Sequence, residues 1–171
     1  MHSTIPDPEV LVGIAALGLT VTGFSGLISV LGRRSAGHWT DEERFLLSEL
    51  ITVSLAVTFA SFLPILVGLL YQGAQALLVA TFSVAFAHAL VLVRGASRNF
   101  REGAAKPKMS NAVALFMLLG GLGLIATAFL ASFSVIPGAA FLLVANLLWQ
   151  LLVATIHFVL LLLGPGSRHQ D

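Results

Sequence analysis

The basic residues of this chain are confined to alternate connections between five long apolar stretches. Arg33, Arg34 and Arg44 follow the first stretch, and Arg94, Arg98, Arg101, Lys106 and Lys108 follow the third. Arg168 follows the fifth stretch, whereas the N-terminal tail and the other two connections contain no lysine or arginine. Basic residues in short loops resist translocation and therefore mark the cytoplasmic side of a membrane. The pattern predicts an all-α polytopic membrane protein with its N-terminus outside and its C-terminus in the cytoplasm.

Composition supports a single membrane domain, residues 1–171. Apolar residues make up 57% and charged residues 10% of the 171 residues, whereas a soluble domain has about 25% charged residues. A span needs about 20 apolar residues, so five spans leave no room for a soluble catalytic domain. The net charge of +1 predicts no nucleic-acid partner, and the basic connections are expected to contact anionic lipid headgroups of the bilayer. The absence of cysteine excludes thiolate metal sites, c-type haem and a thiol nucleophile.

The five spans are predicted to form one helical bundle. Their bounds are residues 10–31, 45–70, 74–93, 112–133 and 139–163, with cytoplasmic loops at 32–44 and 94–111. Thr40 and Glu43 have the spacing of a capping box, which predicts that the second helix begins in water near Asp41. Pro64 should kink this helix, because proline removes a backbone donor. The many small residues of the first span predict close packing against other helices.

Two histidines are the candidate cofactor ligands. His88 lies in the third span and His157 in the fifth, and both spans run in the same direction. Counted from the ends of their apolar runs, both lie about 10 Å inside, so they are predicted at similar depth. Two imidazoles on facing helices could ligate a b-type haem or another metal, or bind a quinone headgroup. The alternative is that each imidazole hydrogen-bonds a neighbouring helix.

A polar stripe is predicted on the fifth span. At about 100° per residue, Asn146, Gln150 and His157 lie on one face. Such a stripe could line a water or proton path, or its amides could join helices through hydrogen bonds. The second span carries a matching face of hydroxyls that could receive the stripe, formed by Ser54, Thr58 and Ser61.

Glu49 is the one acidic residue predicted within a span, near its inner end. A carboxylate in the bilayer needs a partner or water. The expected arrangement is an interfacial carboxylate near Arg44, Arg94 or a lipid headgroup. The alternative is a proton acceptor at the mouth of a path that ends near the two histidines.

One region resembles a protein family. It comprises Gly23-Phe24-Ser25-Gly26, Leu31-Gly32-Arg33-Arg34 and the segment from Trp39 to Phe45, Trp-Thr-Asp-Glu-Glu-Arg-Phe. This region resembles small, uncharacterised multi-pass membrane proteins of bacteria. The resemblance implies a bacterial inner membrane and implies no activity, cofactor or site residue.

Three functions remain open from the sequence. The first is a non-enzymatic integral membrane subunit, scaffold or accessory protein, as a homo-oligomer or in a larger membrane complex. The second is a membrane redox protein with haem b or quinone at His88 and His157. The third is a pore or proton path along the polar stripe. Enzymatic activity is not favoured, because the chain contains no HExxH motif, phosphate-binding glycine loop or nucleophile elbow.

Overall fold

The computed structural model describes residues 5–36, 40–101, 111–133 and 138–163. These residues form five helices and no strand: α1 (Pro8–Ala36), α2 (Asp41–Leu70), α3 (Gly73–Arg101), α4 (Asn111–Ser132) and α5 (Ala139–Leu163). Each helix contains a segment long and apolar enough to cross a membrane. The predicted all-α class and the five apolar helices are therefore confirmed.

The largest difference from the predicted bounds is at the C-terminal end of α3. Residues 94–101, predicted as loop, continue the helix. Nothing in this segment stops a helix, since the first proline after α3 begins is Pro107. Residues 37–39, 102–110, 134–137 and 164–171 lie outside the described residues, as do the side chains of Arg33, Arg34 and Arg101. The predicted positions of Lys106, Lys108 and Arg168 therefore have no structural counterpart.

The start of α2 has the predicted capping box. The Glu43 backbone N–H donates to Thr40 Oγ1 at 3.2 Å, and the Thr40 backbone N–H donates to Glu43 Oε2 at 2.8 Å. Asp41, Glu42 and Glu43 lie in the first turn, where negative charge is favoured by the helix dipole. Pro64 is buried inside α2, which continues as one helix to Leu70.

Consecutive helices run antiparallel, α1, α3 and α5 run in the same direction, and α5 packs against α1, α2, α3 and α4. Of the candidate spans, that of α2 is the most buried and that of α4 the least. Two core clusters follow α2 and α5 along the bundle: one includes Val57 and Leu147, and the other includes Leu50 and Ala154. We call the end where α2 begins and α3 finishes the basic end, because Arg44, Arg94 and Arg98 lie there.

A glycine sets the distance between α1 and α2. A Cβ added at Gly18 would lie 2.6 Å from Thr58 Oγ1, 2.7 Å from Val57 Cγ1 and 3.0 Å from the Ser54 carbonyl oxygen. Only glycine therefore allows the two backbones to approach so closely. A Cβ added at Gly13, Gly23 or Gly26 would have open space around it. The close packing predicted for α1 thus occurs on one face, while these three glycines lie away from it.

Candidate functional site

The polar stripe predicted on α5 lies in the interior of the bundle. Asn146 is 0% exposed, Gln150 1% and His157 8%. The helix turns this face inward because the apolar side chains Leu143, Leu147 and Ala154 lie on the same face and are buried with it. Polar groups in such surroundings need hydrogen-bond partners, so the partners of each residue indicate what the stripe does.

His88 and Asn146 form a buried pair that joins three helices. His88 Nδ1 lies 2.8 Å from Asn146 Oδ1. Asn146 Nδ2 donates to the carbonyl oxygens of Leu124 on α4, at 3.2 Å, and Leu142 on α5, at 2.9 Å. Since the amide nitrogen of Asn146 is engaged as a donor, its oxygen is the acceptor and His88 Nδ1 carries a hydrogen. The neutral imidazole of His88 then has an acceptor lone pair on Nε2.

Glu49 is paired with Arg98 near the basic end. Arg98 Nη1 donates to Glu49 Oε1 at 2.8 Å and to Ser48 Oγ at 2.7 Å. The guanidinium carbon lies 5.1 Å from the centre of the Phe45 ring, within the range of a cation–π contact. The Glu49 side chain is 7% exposed and that of Arg98 21%, so the pair is largely shielded from solvent. The sequence prediction named Arg44, Arg94 or a lipid headgroup, whereas the observed ion pair is with Arg98, because α3 continues far enough to bring it to the carboxylate.

The two histidines do not lie at similar depth, and that prediction is wrong. Two contacts fix the register between α3 and α5. His88 pairs with Asn146, and the Thr81 hydroxyl donates to the Ala139 carbonyl oxygen at 3.3 Å. In both contacts the residue on α5 is 58 positions later in the sequence than the residue on α3. This register places His157 level with residue 99. Because His157 is eleven residues beyond Asn146, it lies about 16 Å further along the axis than His88. The two imidazoles therefore cannot ligate one haem iron or hold one quinone headgroup together.

His157 belongs instead to the Glu49 level of the bundle. Its Nδ1 donates to the Val153 carbonyl oxygen at 2.8 Å. The register between α3 and α5 places His157 at the level of Arg98, the ion-pair partner of Glu49. Among the described residues, no group of three or more histidine, cysteine, aspartate or glutamate side chains could hold a metal ion. This level of the bundle thus contains the Glu49 carboxylate, the Arg98 guanidinium and the His157 imidazole.

The hydroxyl face of α2 is buried but contacts α1. Ser54, Thr58 and Ser61 each donate to the carbonyl oxygen four residues earlier, at 2.7 to 2.8 Å. Thr58 also approaches the Ala15 carbonyl oxygen of α1 at 3.4 Å. Hydroxyls bonded to their own helix have used their donors. The prediction that this face receives the α5 stripe is supported by no hydrogen bond between the described residues of the two faces.

Two neighbouring side chains on α5 contain polar atoms without a partner among the described residues. They are Gln150, at both its amide oxygen and nitrogen, and Trp149, at its indole Nε1. The Trp149 ring packs against Gly120 of α4, and its Nε1 lies 3.5 Å from the position of a Cβ on Gly121. The Phe116 ring covers the indole, with ring centres 5.0 Å apart. The glycine pair of α4 therefore accommodates a large aromatic side chain from α5.

Several of these residues were not identified from the sequence. Arg98 lay in a predicted loop, and Ser48, Phe45 and Trp149 were not singled out. The adjacent glycines of α4 could have indicated the Trp149 contact, because such glycines in a span indicate that a neighbouring helix packs closely there. Their partner could not be named, since the register between α4 and α5 is set by packing and not by either helix alone.

Comparison with known proteins gives no relative for this chain. No protein-family model matches it, and neither a curated protein nor a solved structure is detectably similar. The functional argument therefore depends on the bundle and its buried polar groups.

Proposed function

We propose that this chain is a non-enzymatic integral membrane protein that acts as a subunit, scaffold or accessory factor. The observation that carries the proposal is the pairing of its buried polar residues with one another. Glu49 pairs with Arg98 across α2 and α3, and His88 with Asn146 across α3 and α5. Groups paired in this way join helices and leave few side chains free for chemistry on a substrate.

The exterior of the bundle is compatible with contacts to another membrane helix. Gly13 and Gly23 on α1, and Gly123 on α4, have open space around them. Helices approach closely in lipid where the facing residues are small. We propose a bacterial inner membrane as the location, because the segment from Trp39 to Phe45 belongs to the region that resembles bacterial multi-pass membrane proteins. We place the basic end in the cytoplasm, because the lysines and arginines follow alternate spans.

The test is the mass of the protein in lipid nanodiscs, measured by native mass spectrometry. A homo-oligomer or a complex with a co-purified membrane protein is expected. Gly23→Leu adds bulk on the exterior and should reduce a self-associated fraction, whereas Ala126→Leu on the exposed side of α4 serves as the matched control. Free monomer alone, with no partner at any protein-to-lipid ratio, would refute the proposal.

A second candidate function is a proton path, favoured by the unpartnered amide of Gln150. On α5 this amide lies between Asn146 and His157, and His157 is level with the Glu49 and Arg98 pair. In proteoliposomes, a path predicts proton flux that Gln150→Leu and His157→Leu both reduce. Thr155→Leu, on the exposed side of the same helix, is the matched control. Flux that equals that of empty liposomes would exclude this function.

A further inference from the structure

The space beside Gly121 of α4 brings together two nitrogen atoms of opposite hydrogen-bonding character. A Cβ added at Gly121 would have three nearest atoms: Trp149 Nε1 at 3.5 Å, His88 Nε2 at 3.6 Å and Leu92 Cδ1 at 3.8 Å. These distances are ordinary van der Waals contacts, and they place both nitrogens within 3.6 Å of one point beside the glycine. Gly121 itself is buried.

One of the two nitrogens is a donor without a partner. The indole Nε1–H can only donate, and no described residue accepts from it. Trp149 is ten residues from the start of α5 at Ala139 and fourteen from its end at Leu163. It therefore lies about 15 Å or more from either end of the helix, too deep for its indole to reach a headgroup.

The other nitrogen is an acceptor. Because Asn146 donates to two carbonyl oxygens and accepts from His88 Nδ1, the imidazole carries its hydrogen on Nδ1. In the neutral imidazole, Nε2 then presents a lone pair. The neutral form is favoured because His88 is only 4% exposed and burial of an unpaired charge is costly. A molecule beside Gly121 that accepts from Trp149 and donates to His88 would satisfy both groups.

We propose that a single water molecule is bound beside Gly121, where it accepts a hydrogen bond from Trp149 Nε1 and donates one to His88 Nε2. Water is the smallest molecule with both capacities, and buried waters in proteins join polar groups that have no protein partner. The site depends on neither proposed function, since a scaffold and a proton path are both compatible with it.

The test is nuclear magnetic resonance of the full chain in nanodiscs with ¹⁵N-labelled tryptophan. The chain has two tryptophans, Trp39 and Trp149, so a Trp39→Phe background leaves one indole signal. We expect a cross peak between this indole hydrogen and water. Its absence would overturn the proposal without any further variant.

Two glycine variants establish where the water binds. Gly121→Ala places a methyl group in the site at ordinary contact distances, and the water cross peak should be lost while the amide spectrum remains that of a folded protein. Gly123→Ala, on the same helix with open space around it, should retain the cross peak. A cross peak that survives in Gly121→Ala would also overturn the proposal. Gly121→Ser should shift the indole signal and remove the water, because its hydroxyl replaces the water as acceptor.

Discussion

At the scale of single residues, two groups of buried polar side chains lie at different levels along α5. His88 and Asn146 form one level, and Glu49, Arg98 and His157 lie at the other. Burying a charge is costly, and the cost is offset only when the partner and hydrogen bonds are in place. The Glu49 and Arg98 pair meets this condition, because Arg98 also donates to Ser48.

Removal of one member of this pair is expected to destabilise the bundle. Glu49→Gln leaves a largely buried guanidinium without its counter-ion and should lower the free energy of unfolding by about 2 kcal/mol. This value is below the range for fully buried pairs because the Arg98 side chain is 21% exposed. Denaturant unfolding in mixed micelles measures the change, with Arg98→Met and the double variant completing a mutant cycle.

The control for the cycle is the pair Asp41 and Arg44, whose side chains are 81% and 64% exposed and 3.8 Å apart. Because solvent screens exposed ion pairs, Arg44→Gln should change the free energy of unfolding by less than about 0.5 kcal/mol. A coupling energy between Glu49 and Arg98 no larger than the effect of Arg44→Gln would contradict their assignment as a stabilising, largely buried ion pair.

At the scale of helices, stability depends on how each element begins and on where it contacts its neighbour. The capping box satisfies backbone N–H groups that would otherwise lack partners at the start of α2. Gly18 determines how closely α1 approaches α2. Each feature gives a prediction that separates local from tertiary effects.

The first concerns the cap. Thr40→Ala removes the acceptor for the Glu43 N–H and should lower the free energy of unfolding by about 1 kcal/mol. Amide hydrogen exchange should accelerate in the first turn of α2 and remain unchanged in the middle of the helix. Thr40→Asp retains an acceptor and should restore slow exchange. Equal protection in Thr40→Ala and the parent protein would contradict the role of the cap.

The second concerns the contact between α1 and α2. Gly18→Ala forces a methyl group against Thr58, Val57 and the backbone of α2, which should cost about 1–3 kcal/mol of stability. Gly13→Ala is the matched control, since open space surrounds that position, and it should leave stability unchanged or slightly higher because alanine favours helix. Unfolding of both variants under identical conditions provides the comparison. Equal effects would mean that Gly18 does not set the helix spacing.

At the scale of the whole molecule, the five helices place two groups of residues at opposite ends. Arg44, Arg94 and Arg98 lie at the basic end, whereas Tyr71, Gln72 and Gly138 lie at the other. If the bundle crosses a membrane, this separation determines which connections are on each side.

The orientation can be measured because the chain has no cysteine. Single cysteines introduced as Gln72→Cys and Ser97→Cys replace exposed residues at opposite ends. In intact cells, a membrane-impermeant maleimide should label Gln72→Cys and should label Ser97→Cys only after the membrane is permeabilised. The reverse pattern would show that the N-terminus is inside.

The sequence by itself determined the features that depend on local composition. Five apolar stretches predicted five helices, and the spacing of Thr40 and Glu43 predicted the start of α2, because burial of apolar side chains and capping act within one segment. The 3.6-residue period placed Asn146, Gln150 and His157 on one face, and that face is buried.

Only the tertiary structure decided which polar groups meet. The register between helices depends on close contacts such as those at Gly18 and Gly120, which involve residues distant in sequence. Depth counted from the ends of apolar runs therefore placed His88 and His157 together, whereas the register separates them and pairs His88 with Asn146. For the same reason Arg98 was assigned to a loop, although α3 continues and brings it to Glu49.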